Sequence, residues 1–294
     1  MSGFSVFLIA VTIVLYLGQN FFTRLYSGDF QGDSQCASSV FTVFYGLITA
    51  AATFAYNGFS LHPDHLTLAL GLINGIVLFL YNISFINASR LGPYSFQIIL
   101  MYFGNLIIPI AFNVTLWQES LRPVTVAGVI FMLLALSIFN FGEGSMADAK
   151  KGYFFWVFIL FATNGAYSAL IDGQQRAEAG SLHQEMIIIT FLTTAAAAAI
   201  YLIIKQKSRF LPSFRMGRKA ALYMVLASIS AAAAVNVLMI TLRYVSSTIL
   251  FPLNAGLLMV ANAILGVLVL QEVLTKGRAA GIVLAVVSIV LLNL

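Results

Sequence analysis

Residues 116–128 read Leu-Trp-Gln-Glu-Ser-Leu-Arg-Pro-Val-Thr-Val-Ala-Gly, and residues 270–281 read Leu-Gln-Glu-Val-Leu-Thr-Lys-Gly-Arg-Ala-Ala-Gly. Laid on one another at an offset of 153, they put Gln118 on Gln271, Glu119 on Glu272, Leu121 on Leu274 and Gly128 on Gly281. The same register, without a gap, carries Arg90 onto Arg243 and Asn140 onto Asn293. Self-similarity at one fixed register marks an internal duplication. Each stretch is a polar junction between two apolar windows, so the duplicated unit can be measured by counting windows outward from it.

Apolar windows long enough to cross ~30 Å of hydrocarbon fall at 4–25, 38–56, 66–88, 93–116, 124–141, 152–175, 186–204, 219–242, 247–270 and 276–293. The breaks between them carry turn chemistry: Gly28 to Ser34, His62-Pro63-Asp64, Gly92-Pro93 and Pro123. None of the windows alternates as the strands of a membrane barrel do. Backbone groups in lipid need internal partners, which leaves helices. The sequence therefore predicts an all-α integral membrane protein of ten transmembrane helices. Its halves, 1–145 and 146–294, are five-helix repeats. Five is odd, so the second copy enters the membrane from the opposite side, and inverted repeats are characteristic of secondary transporters.

Composition agrees. Of 294 residues, 61% are apolar and 9% charged, against about 25% charged in soluble domains. A soluble enzyme, a disordered chain and a secreted disulfide scaffold are excluded; the one cysteine, Cys36, can form no intramolecular bridge. No Lys/Arg cluster sits beside a soluble fold that could dock nucleic acid. The excess of 15 Lys and Arg over 10 Asp and Glu reads instead as loops facing anionic lipid. Met1 to Leu25 has neither a basic n-region nor a small-residue cleavage site, so it is expected to be a mature span. Of the 15 basic residues, 12 lie in the odd-numbered loops and only Arg122, Arg176 and Arg243 in the even ones. The positive-inside rule then puts both termini outside the cytoplasm, in what is expected to be a bacterial cytoplasmic membrane.

The two junction strings resemble the helix–Glu–Leu–turn–Gly–helix signature of the EamA-like drug/metabolite transporters, with Gln118 and Gln271 where that family usually has Gly. The resemblance extends to length, span count and the five-plus-five duplication. It implies a ten-helix carrier of small metabolites, with helices one, three and four and their repeat mates around a central cavity.

Polar residues recur at helical spacing inside the spans. In the first window Thr12, Tyr16, Gln19, Asn20 and Thr23 share a face, and in the sixth Asn164, Ser168, Asp172 and Gln175 do the same. Such stripes either line a cavity or join packed helices by hydrogen bonds. The fourth window adds Tyr94, Gln97, Met101 and Asn105, and the ninth adds Ser247, Asn254 and Ala261. Candidate substrate-binding residues are therefore Tyr16, Gln19, Asn20, Gln97, Asn105, Asn164, Ser168, Asp172 and Asn254, with Asn74, Tyr81 and Asn236 behind them. Asp172 is the one carboxylate inside a span. It could pair a cationic group or carry a proton, or else lie at the interface with Gln174, Gln175 and Arg176. Glu119 and Glu272 are expected to be structural, capping the helices at the junctions.

Other patterns carry no chemistry. The sequons at Asn82, Asn87 and Asn113 are in or beside spans, and His62, His65 and His183 make no metal spacing. There is no His-Glu-x-x-His and no Gly-Lys-Ser/Thr phosphate loop, and nothing calls for a cofactor. Gly71-x-x-x-Gly75 and Gly277-x-x-x-Gly281 are close-packing motifs that serve one chain or two copies equally, leaving monomer and homodimer open. The expected function is secondary transport of a small polar metabolite by alternating access. A neutral, zwitterionic or cationic solute such as an amino acid, amine or nucleoside suits the candidate residues, since a phosphorylated one calls for Arg or Lys. The partners are that solute and membrane lipid. Rival readings are an intramembrane enzyme, which would need a base beside Ser168 and Asp172, and a channel.

Overall fold

The computed structural model describes residues 2–30, 36–92, 94–140, 149–177, 182–206, 216–270 and 275–293. Among them every regular element is a helix: α1 (Gly3–Asp29), α2 (Ala37–Tyr56), α3 (His65–Leu91), α4 (Tyr94–Leu116), α5 (Pro123–Asn140), α6 (Tyr153–Arg176), α7 (His183–Gln206), α8 (Arg218–Thr241), α9 (Ser247–Leu270) and α10 (Lys276–Asn293). Seven of these, α1 to α4 and α6 to α8, are long and apolar enough to cross a membrane, compatible with a multi-pass membrane protein. Many large apolar side chains along them are exposed, among them Phe7, Val14, Phe158 and Ile204. An apolar surface of that extent suits lipid as solvent.

Local chemistry sets the helix ends. After α2 the chain turns through Gly58 and Phe59, both left-handed at φ 66° and 58°. Pro123 opens α5, where its missing N–H costs nothing. Asp64 caps α3, its Oδ1 accepting the Thr67 backbone N–H at 2.7 Å. The Thr67 hydroxyl and amide hold the Asp64 carboxyl below the usual carboxylate range.

The helices pack as two units. The first comprises Met1–Ile9, Ile83–Asp172 and Thr241–Leu294; the second comprises Ala10–Asn82 and Gly173–Ile240. Each therefore takes helices from both halves of the sequence.

In the first unit α5 lies against α10 and α4 against α9. Leu106, Met132, Leu136, Phe251, Met259 and Leu292 form its core. Gly128, early in α5, meets Leu292, late in α10: a Cβ on Gly128 would sit 2.8 Å from Leu292 Cγ. Gly281, early in α10, meets Phe139, late in α5, at 2.6 Å. The helices thus run antiparallel. The two contacts are one contact repeated, because 128 and 281, like 139 and 292, are 153 apart. A second pair repeats likewise: Ser288 Oγ donates to the Gly128 carbonyl at 2.7 Å, and a Cβ on Gly281 would lie 2.9 Å from the Ala135 carbonyl.

In the second unit α2 packs on α7, again antiparallel. Val40 and Val43 near the start of α2 meet Ala198 and Leu202 near the end of α7. At the other end Asn57, the residue after α2, reaches Glu185 in the first turn of α7. Helix α3 runs parallel to α7, with Gly71 and Gly75 against Met186, Ile189, Thr190 and Thr193.

Candidate functional site

The first unit holds Gln97, Asn105, Asn164, Ser168, Asp172 and Asn254. Its polar centre is the crossing of α4 and α6. Two glycines allow the helices to touch there: a Cβ on Gly104 would collide with the Phe161 carbonyl, and one on Gly165 with the Gly104 carbonyl. Because the obstruction is backbone, no side-chain rotation relieves it. Around this contact Ser168 Oγ donates to Asn105 Oδ1, and Asn164 Nδ2 donates to the Met101 carbonyl at 2.7 Å. Met101 and Asn105 pair with Asn164 and Ser168 in the same order, so α4 and α6 run parallel. Pro109 lies one turn beyond Asn105 in α4 and has no N–H for the Asn105 carbonyl.

The other candidates of this unit differ in their surroundings. Gln97 is buried and donates to the Phe85 carbonyl at 2.9 Å. Asp172 lies inside α6, four residues before its end, and is 4% exposed. Asn254 stands on α9 between the core residues Phe251 and Ala255. Its Oδ1 is buried and accepts no hydrogen bond. At the junction after α4, Gln118 is left-handed at φ 51° and Glu119 Oε1 accepts the Ser246 hydroxyl at 2.8 Å, immediately before α9. Asn113 Nδ2 adds bonds to Ser247 Oγ at 2.6 Å and Thr248 Oγ1 at 3.0 Å. The end of α4 is thereby fastened to the start of α9, which makes this pair antiparallel too. Glu272 and Gln271 lie outside the described residues.

The second unit holds Tyr16, Gln19 and Asn20. Tyr16 and Gln19 are half-buried, and Asn20 is exposed. Gln19 Nε2 donates to the Tyr45 hydroxyl at 3.1 Å, while its Oε1 is buried without a donor. Thr23 turns back onto the Gln19 carbonyl at 2.8 Å, a local bond within α1.

Tyr45 begins a stripe that the sequence reading passed over. Tyr45, Thr49 and Thr53 are four residues apart on one face of α2. Thr49 Oγ1 donates to the Ser228 carbonyl at 3.2 Å, and Thr53 Oγ1 accepts Asn236 Nδ2 at 3.1 Å. Asn236 Nδ2 also reaches the Ala232 carbonyl at 2.7 Å. A carbonyl accepts only from the amide nitrogen, so the orientation is fixed and Oδ1 is left buried with no donor. Asn74 Oδ1 on α3 is in the same position. The spacing test that found the stripes on α1 and α6 would have found this one. Its residues are hydroxyls, though, and in an apolar helix hydroxyls commonly bond their own backbone.

Three further hydrogen bonds lie at one end of this unit. Gln174 Nε2, at the end of α6, donates to Thr67 Oγ1 at the start of α3, 3.0 Å away. Asn57 Nδ2 donates to Glu185 Oε1 at 3.0 Å and to the Ser60 carbonyl at 2.8 Å. Glu185 and Asn57 are 128 residues apart, and no local pattern links them.

No family model matches the chain, and no curated protein matches it in sequence. Among solved structures 29 chains match. One, described only as "Crystal structure of protein", is 19% identical over 100% of this chain and 98% of its own, with a TM-score of 0.78. At that identity the likeness extends to the fold.

Proposed function

We propose that the chain is a secondary transporter of the EamA-like drug/metabolite class, built of inverted repeats 1–145 and 146–294, with ten spans. It carries a small polar metabolite across a bacterial cytoplasmic membrane by rocking between inward- and outward-open states. The observation that carries the reading is the doubled contact between α5 and α10. An inverted repeat relates its halves by a pseudo-two-fold axis, and a two-fold makes contacts reciprocal: if i meets j, the mate of i meets the mate of j. Gly128 with Leu292 and Phe139 with Gly281 meet that condition at the offset obtained from sequence alone. Mates must also cross the membrane in opposite directions, and α2 with α7, α4 with α9 and α5 with α10 are all antiparallel. The parallel run of α4 and α6 supports a crossing by the short α5, because the chain has to return between them.

The candidate residues suit a neutral, zwitterionic or cationic solute. Their amides and hydroxyls leave oxygens spare at Gln19, Asn236 and Asn254, and a ligand with N–H or O–H donors satisfies such oxygens. The test is uptake by purified protein in proteoliposomes across a panel of amino acids, amines and nucleosides preselected by thermal shift. Saturable uptake with exchange of internal for external solute is expected. Flux that rises linearly without saturation would mean a channel, and no flux with any solute bound would end the transport reading.

A further inference from the structure

Helix α8 presents one narrow exposed face. Of the seven helices long enough to cross a membrane it is the most buried, and its exposed residues are Arg218, Lys219, Leu222, Val225 and Ile229. Arg218, Leu222, Val225 and Ile229 follow one another at i, i+4, i+7 and i+11, which makes a single stripe. Leu222 stands one turn below both cations, at i+4 from Arg218 and i+3 from Lys219. From Arg218 to Ile229 the stripe runs about 16 Å at 1.5 Å per residue, roughly half of the ~30 Å hydrocarbon layer. There it stops: Ala231, Ala232, Ala234 and Val235 beyond it are buried.

The chain supplies little to neutralise the charge at the head of this stripe. Between Glu185 and Glu272 the sequence has seven Lys or Arg and no Asp or Glu. The neighbouring helix ends are basic too. Tyr26, late in α1, packs against Ala220 and Met224, early in α8. Cys36 and Val40, at the start of α2, pack against Leu202, late in α7, and Met216 touches both clusters. This end of the second unit therefore carries Arg24, Lys205, Arg218 and Lys219 against Asp29 alone among the described residues. Lys205 marks the depth of the water interface. Its Nζ donates to the Tyr201 hydroxyl at 3.3 Å and lies 5.6 Å from the centre of that ring, a pairing of interfacial Tyr with a snorkelling Lys.

Two cations above an apolar stripe one leaflet long match a phospholipid from headgroup to acyl chain. We propose that the exposed face of α8 is a docking surface for an anionic phospholipid, its phosphate held by Arg218 and Lys219 and an acyl chain lying along Leu222, Val225 and Ile229. The Arg218 guanidinium can take two phosphate oxygens through its fork, and Lys219 adds a point charge from the next position. Zwitterionic lipid fits the apolar stripe equally well, but its headgroup carries a cation of its own and gains less from these two. A second copy of the chain is disfavoured as occupant, because this face meeting itself across a two-fold would set cation against cation. The inference goes beyond the transport reading and stands without it.

Native mass spectrometry of the detergent-purified protein with phosphatidylglycerol or phosphatidylcholine of equal chain length tests the surface. Phosphatidylglycerol is expected to be retained in preference, and the preference should weaken as salt rises. Arg218→Gln with Lys219→Gln should lower its retention about fivefold for each cation removed and leave phosphatidylcholine unchanged. Arg122→Gln, which takes a cation from the α4–α5 connection, should change neither. Glycerol phosphate at the same concentration should not compete, since it lacks the chain that the stripe holds. A second measurement keeps both cations: in Leu222→Trp, phosphatidylglycerol brominated on its acyl chains should quench the added fluorescence more than brominated phosphatidylcholine does. Equal retention of the two lipids, equal loss in Arg122→Gln, displacement by glycerol phosphate, or equal quenching would overturn the assignment. So would a dimer that the double variant separates, because the occupant would then be a second copy.

Discussion

Two asparagines proposed for the same role, Asn105 and Asn254, have opposite energetics. Asn105 accepts the Ser168 hydroxyl across α4 and α6, whereas Asn254 Oδ1 accepts nothing. Asn105→Ala removes an interhelical bond and leaves a buried hydroxyl without that acceptor, so thermal stability should fall by about 1 kcal/mol. Asn254→Ala deletes an acceptor that no protein group uses, and stability should change by less than about 0.5 kcal/mol. If Asn254 touches the solute, its loss should show in binding instead, with Kd raised about three- to tenfold. Melting curves and titration of a panel ligand against both variants separate the two effects, and unchanged binding by Asn254→Ala would remove it from the site. Periodicity had flagged both residues, since it reports which face of a helix is polar. It could not tell them apart, because what a side chain meets depends on the neighbouring helix. The same limit explains Glu185, whose partner Asn57 comes from a distant turn.

At the scale of elements the windows 124–141, 152–175 and 276–293 became Pro123–Asn140, Tyr153–Arg176 and Lys276–Asn293. Such ends were legible because Pro, Gly and charge punctuate an apolar run sharply. The packing of those helices was less legible, since a glycine in an apolar window does not announce what approaches it. Gly104 and Gly173 make the point experimentally. A methyl on Gly104 meets the Phe161 backbone, while nothing lies within 4 Å of one on Gly173. Gly104→Ala should destabilise by about 1–3 kcal/mol, and Gly173→Ala should be neutral or stabilise by up to about 1 kcal/mol; melting temperatures of the two variants check this. The start of α3 is pH-dependent for a local reason. Thr67 lowers the folded-state pKa of Asp64, so the cap's contribution is fully present above the unfolded carboxyl range. It is lost as pH falls through the lower folded value. Wild type should therefore lose a little stability on the acid side that Asp64→Ala has already lost, and the two melting profiles should converge at low pH.

The whole molecule turns on one number. An offset of 153 came from matching Arg90, Gln118, Glu119, Leu121, Gly128 and Asn140 to their mates, and the same number relates contacts that α5 and α10 make in space. Sequence could show the offset because glycines and junction residues tolerate little change; which helices it would join was not readable, because apolar lipid-facing positions interchange freely. The proposed topology has a consequence independent of substrate. Ten crossings return the chain to the side on which it began, so the termini share a compartment. The odd loops carry 12 of the 15 basic residues, six of them between Lys205 and Lys219, and retention of such loops in the cytoplasm is the positive-inside effect. Both termini are therefore expected outside the cytoplasm. A green fluorescent protein fused after Leu294 should stay dark in bacteria, and alkaline phosphatase at the same point should be active. Fusions within the Lys205 to Lys219 loop should give the reverse. Bright fluorescence after Leu294 would invert the proposed topology, and bright fluorescence at both points would break the even count of crossings on which the proposed two-fold relation of the repeats depends.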